Sequence, residues 1–84
     1  MAYKIIWSPK SKEDMKKLDK NIAKRVIKKL TELELAPYHF IEKIINVNCW
    51  KLRVGDYRVL FDIDEKKKEV RVLKVGHRKN IYKL

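Results

Sequence analysis

Two N-terminal helices packed on one face of a small single β-sheet of about four strands, an α+β fold in the order β-α-α-β-β-β, is what this sequence predicts. Three observations carry the prediction. A β-branched and aromatic run, Tyr3 to Ser8, opens the chain. Residues 20–35 then space apolar residues at helical intervals. Residues 49–76 alternate apolar and polar residues around a Gly55-Asp56 turn. With 84 residues the chain is one domain, residues 1–84. Its hydrophobic share of 45% is enough for a core, so wholesale disorder is excluded.

Each element has its own signal. Ser8-Pro9 reads as N-cap and first helical position. The first helix runs to about Leu18, with Met15 and Leu18 inward. Asp19 caps a second helix over 20–35, which stops before Pro37. There Ile22, Val26, Leu30 and Leu33 make a stripe that Ile27 widens, and lysines take the remaining faces. Residues 36–48 read as a loop that closes the core. Strands follow over about 49–54, 57–63 and 69–76, with a polar loop at 64–68. Glycine first in the Gly55-Asp56 pair favours a type II′ turn.

A two-residue turn at 55–56 fixes the first register. It sets Val54 opposite Tyr57 and Arg53 opposite Arg58. Side chains alternate between faces along a strand. One face then carries Trp50, Leu52, Val54, Tyr57, Val59, Phe61 and Ile63, and meets the helices. The other carries Lys51, Arg53 and Arg58. For the last strand we expect Asp62 to face Arg71 and Leu60 to face Leu73. Unbroken alternation then places Leu73, Val75 and His77 beside Arg58, since a one-residue slip would bury Arg71. Like charges directly opposite cost about 0.2–1 kcal/mol. A structural role would supply carboxylates among these cations, and an anion-binding role would leave them out.

Composition narrows the function. There are 22 basic and 11 acidic residues, a net +11, which costs self-repulsion and points to a polyanionic partner. A thermophilic bias would raise both signs of charge together. No apolar run is long enough for a membrane span, and the first residues lack a signal-peptide pattern, so a cytoplasmic protein is expected. One cysteine, Cys49, excludes an internal disulfide and a cysteine-based zinc cluster; we read it as a packed residue, not a nucleophile. Two glycines exclude a phosphate-cradling loop. No cofactor or metal is expected. Trp7 and Trp50 read as core residues, and His39 as structural or exposed.

The segment Val75-Gly76-His77-Arg78-Lys79-Asn80-Ile81-Tyr82 gathers residue types of acid–base chemistry: His77, Arg78 and Tyr82. Together with Trp50-Lys51-Leu52-Arg53-Val54-Gly55-Asp56-Tyr57-Arg58-Val59-Leu60-Phe61, it resembles the RelE/ParE toxin superfamily, and within it the RelE-like mRNA interferases. That resemblance implies the toxin of a toxin–antitoxin system. It further implies a ribosome-dependent endoribonuclease that cuts mRNA in the A site by metal-free attack of a 2′-OH on the neighbouring phosphate, and a RelB-like antitoxin partner. By position, Lys51 and Arg53 match the family's basic pair and Arg58 its transition-state arginine. Arg78 matches the group that acts on the leaving oxygen, and Tyr82 the aromatic that orients the base. Arginine does not readily release a proton, so Arg53 is a phosphate clamp and His77 is the candidate for proton transfer. Two alternatives stand beside this one: a ParE-like, non-nucleolytic inhibitor of DNA gyrase, and a non-catalytic RNA- or ribosome-binding module.

Overall fold

The computed structural model describes residues 3–36, 41–44 and 49–81. Strand β1 (Lys4–Trp7) leads into helix α1 (Pro9–Lys16) and helix α2 (Lys20–Leu35). Strands β2 (Ile41–Lys43), β3 (Trp50–Val54), β4 (Tyr57–Asp64) and β5 (Glu69–His77) follow. They form one five-stranded sheet in the order β1-β5-β4-β3-β2. Only the β1–β5 pair is parallel, with Lys4 beside Glu69 and Trp7 beside Val72.

Both helices begin where the caps predict. Ser11 N–H donates to Ser8 Oγ at 3.0 Å. Asn21 N–H donates to Asp19 Oδ1 at 2.8 Å. Such caps satisfy backbone donors that the first helical turn leaves open. The α+β class holds, with one strand more than expected. The extra strand is β2, inside the stretch read as a loop. Three residues are too few to show a period of two, so only their pairing with β3 reveals them.

Val26, Leu30 and Leu33 of α2 pack on Leu52, Val54, Val59, Phe61, Val70, Val72 and Val75 from β3, β4 and β5. Met15, Leu18, Ile22, Trp7 and Trp50 sit half-buried around that core. Ile27 does not widen the helix stripe, because it is 51% exposed. α1 ends at Lys16, two residues before the expected stop.

The turn register is as expected, with Val54 opposite Tyr57 and Arg53 opposite Arg58. Gly55 has φ +58°, and Asp56 is not among the residues with positive φ. Positive φ at the first central residue alone is the mark of the type II′ turn. The β4–β5 ladder departs from expectation halfway along. Asp62 faces Arg71 and Phe61 faces Val72, but Leu60 faces Lys74, not Leu73. Leu73 is an extra residue, a β-bulge. One inserted residue moves every later side chain to the other face. Val75 is therefore in the core opposite Val59, Gly76 faces Arg58, and His77 pairs with Tyr57 on the helix side.

The bulge has specific supports. β1 stops at Trp7, so the edge of β5 beyond Val72 meets α1 instead of a strand. Ser8 Oγ donates to the Leu73 carbonyl at 2.9 Å. The Val75 N–H, turned out of the ladder, donates to Asp14 Oδ2 at 2.9 Å. Backbone groups released by the irregularity are thus satisfied by the start and middle of α1.

Candidate nucleic-acid interface

The cationic residues gather around the β3–β4 turn. Arg53 and Arg58 face each other across the two strands, on the side of the sheet away from the helices. No described carboxylate forms an ion pair with either of them. Arg58 Nη1 donates to the Gly55 carbonyl at 2.9 Å and to the Tyr57 carbonyl at 2.8 Å, which holds the guanidinium beside the turn. Neutral carbonyls orient the group without removing its charge, so it stays available to an anion.

Arg78 joins from the next segment. Its backbone N–H donates to the Asp56 carbonyl at 2.8 Å, which carries strand-like pairing one residue past β5. Alternation then puts its side chain on the side of Gly76 and Arg58. Arg78 Nε lies 3.5 Å from Asp56 Oδ1, a loose and exposed contact. The fourth cation, Lys51, stands two residues before Arg53 and registers with Glu42 of β2. Lys51 Nζ lies 3.5 Å from Glu42 Oε2.

Lys51, Arg53 and Arg58 therefore share the face on which the sequence reading sets them, and Arg78 joins them there. His77 does not. The bulge carries it to the opposite side, where its ring meets Tyr57 edge-on with centroids 5.3 Å apart. Its Nδ1 accepts the Lys79 N–H at 3.2 Å, so the neutral imidazole carries its proton on Nε2. Tyr82 lies outside the described residues, as does His39. Asp62 is on the arginine side but belongs to Arg71, at 2.7 Å, as the register implies.

Two contributors were not visible in the sequence. Glu42 places a carboxylate next to the cations. Only the unexpected strand β2 puts it there, by pairing Glu42 with Lys51. Arg25 of α2 reads as one cation of a solvated helix face. In the fold its guanidinium lies against Gly55, where an added Cβ would come within 3.0 Å of Nη2.

Cys49 is half-buried, and loss of solvation, followed by the Asp62 charge, pushes its thiol above the ordinary value of 9.0. A thiol held protonated is a poor nucleophile, in keeping with its reading as a packed residue. Among the described residues, no group of three or more His, Cys, Asp and Glu side chains is arranged to hold a metal. None of the described helices is long and apolar enough to cross a membrane.

Comparison with known proteins agrees with this geometry. The model of the ParE toxin of type II toxin–antitoxin systems, parDE, matches residues 5–82. The toxin–antitoxin complex RelBE2 of Mycobacterium tuberculosis contains a chain 25% identical, with a TM-score of 0.83, covering 93% of this chain and 100% of its own. The intact RelBE toxin–antitoxin complex of E. coli contains one 26% identical, with a TM-score of 0.80, over 90% of this chain and 96% of its own. The archaeal RelE–RelB complex of Pyrococcus horikoshii OT3 shares the fold at 23% identity, with a TM-score of 0.82 over 95% and 99% of the two chains. No curated protein gives a significant match. A family match over nearly the whole length, on a RelE-like sheet with its cations gathered at one turn, places the chain in the ParE toxin family of the RelE/ParE superfamily, as the toxin of a type II toxin–antitoxin system.

Proposed function

We propose that this toxin is an endoribonuclease that cuts mRNA in the ribosomal A site, and that a RelB-like antitoxin neutralises it. The observation that carries the proposal is the Arg53–Arg58 pair, opposite one another and without a carboxylate partner among the described residues. Two guanidinium groups held side by side are costly to the fold and suited to a phosphate.

In this reading the scissile phosphate lies over the β3–β4 turn. The ribose 2′-oxygen bonds to phosphorus, and the bond from phosphorus to the 5′-oxygen of the next nucleotide breaks. A cyclic phosphate and a 5′-hydroxyl result. Arg53 and Arg58 face the non-bridging oxygens, whose charge grows in the transition state. Arg78 stands by the departing 5′-oxygen and stabilises its negative charge until solvent water protonates it to the 5′-hydroxyl. Because His77 is on the other side of the sheet, removal of the 2′-proton falls to Glu42, whose carboxylate is oriented by Lys51. The antitoxin partner is supported by the RelB complexes among the related structures.

The test is to map 5′ ends of mRNA on ribosomes exposed to wild type or to Arg58→Ala. Losing one preorganised charge donor lowers cleavage by about 10²–10³-fold. Cuts that persist within about threefold remove this reading. The match to the ParE toxin model favours a second one, a non-nucleolytic toxin acting on DNA gyrase. That reading predicts no ribosomal cuts, and growth arrest that survives Arg58→Ala.

A further inference from the structure

Gly55 has a guanidinium on each side. Arg58, whose side chain leaves β4 on the side away from the helices, donates from Nη1 to the Gly55 carbonyl at 2.9 Å. From α2, the Arg25 guanidinium fills the place a side chain would take. A Cβ built on Gly55 would stand 3.0 Å from Nη2 and 3.1 Å from Nη1. The turn is one backbone thick here, and glycine adds nothing to it. Two cations that start on opposite faces of the sheet thus flank the same residue at the end of the β3–β4 hairpin.

Arg25 is held there without being neutralised. Among the described residues its guanidinium has no hydrogen-bond or ion-pair partner. The residues three and four positions away on α2 are Asn21, Ile22, Lys28 and Lys29. No carboxylate therefore faces Arg25 along the helix, and two like charges do. The acidic residue of the turn, Asp56, pairs with Arg78 at 3.5 Å. A group that only braced the turn would spend its donors on the turn's carbonyls. The Gly55 carbonyl is taken by Arg58 instead, and the N–H donors of Arg25 stay open.

This place adds something that the Arg53–Arg58 pair lacks. In the proposed reaction those two arginines hold one phosphate on one side of the sheet. A single strand carries a charge at every nucleotide, and its backbone follows a curved row of cations. A strand with its scissile phosphate on the arginine pair, turning past the end of the hairpin, brings its next phosphate to Arg25. A carboxylate-rich protein segment would gain as much from the exposed lysines elsewhere on α2; the glycine-thin passage between two guanidinium groups suits a sugar–phosphate backbone.

We infer that Arg25 is a substrate-binding residue of the same site: it holds the phosphate adjacent to the scissile one as the RNA strand passes around the hairpin end at Gly55. The inference rests on the RNA reading of the arginine pair for the class of ligand. It gives the strand a course, from the sheet face away from the helices to the side of α2.

The experiment uses the full chain and a single-stranded hexanucleotide with every 2′-oxygen methylated, which cannot be cleaved by 2′-attack. Affinity is measured over a range of salt for wild type, Arg25→Ala, Arg25→Gln, Arg25→Lys, Lys66→Ala and an Arg53→Ala/Arg58→Ala variant, each with its urea midpoint. Lys66 follows the far end of β4, so its replacement removes one charge well away from Gly55. For Arg25→Ala and Arg25→Gln we expect about a tenfold loss of affinity. The slope of log affinity against log salt should shrink by about 0.7, as for one phosphate contact to a single strand. Arg25→Lys should keep the wild-type slope, and Lys66→Ala should stay within twofold of wild-type affinity. The urea midpoints of the Arg25 variants should match wild type, since the side chain is exposed and makes no bond to lose. An affinity within twofold of wild type in both Arg25→Ala and Arg25→Gln overturns the inference. So does a loss that Lys66→Ala reproduces, or one that Arg25→Lys fails to restore. A loss in the Arg53→Ala/Arg58→Ala variant with none in the Arg25 variants removes this inference alone. Unchanged binding in the Arg53→Ala/Arg58→Ala variant removes the RNA reading of the pair, and this inference with it.

Discussion

Asp14 shows how much one side chain on α1 does for the far end of the chain. It is 8% exposed, and its two oxygens tie Lys10 and the backbone of Val75 together. Replacing Asp14 by Ala leaves a buried N–H without an acceptor, which costs about 1–3 kcal/mol in urea unfolding. Asp14→Asn keeps an acceptor oxygen and should recover most of that loss. Nothing in the sequence separates Asp14 from an ordinary solvated helix residue, since its partner is a backbone amide on a distant strand. Asp64 offers a pH test. Its carboxylate accepts the N–H groups of Lys66 and Lys67, each at 3.0 Å. The Lys67 bond, followed by the smaller influence of Arg71, holds it below the ordinary value of 3.8. The folded value is the lower one, so its stabilising contribution is complete above 3.8 and is lost as pH falls through the folded value. Asp64→Asn should therefore be less stable than wild type at neutral pH, with a gap in urea midpoint that closes in acid below that range.

At the scale of elements, the β3–β4 hairpin is legible and the β4–β5 hairpin only half so. The Gly55-Asp56 pair fixes the first because a two-residue turn admits one register. Gly55→Ala tests it: the backbone has φ +58°, and the new methyl group meets Arg25. We expect a loss of about 1 kcal/mol or more, read from the urea midpoint. For the second hairpin, the Asp62–Arg71 pairing is right and the face of His77 is wrong. The sequence did hold a signal in the spacing of Val70, Val72 and Val75, whose last step is three residues instead of two. Unbroken alternation sets Lys74 on the core face, and Leu73 hid that conflict by continuing the apolar run. Its 39% exposure shows that it is not core. The lysines, arginines and caps were legible because local chemistry sets them. The faces of His77 and Glu42 were not, because a bulge held by α1 and a three-residue edge strand decide them.

For the molecule as a whole, charge is the dominant constraint. A net +11 on a chain whose Cα radius of gyration is 11.9 Å stores repulsion that added ions relieve. The melting temperature should therefore rise by about 2–6 °C between roughly 0.02 and 0.3 M salt. A flat or falling melting temperature would mean that the exposed ion pairs outweigh the repulsion. The strand order has a further consequence for biosynthesis. β5 is laid down after every other strand, yet it is the only neighbour of β1 and it places Arg78 beside the hairpin turn. Until β5 leaves the exit tunnel, β1 has no pairing partner and the row of cations is incomplete. The cationic face is thus completed only once the last strand has docked.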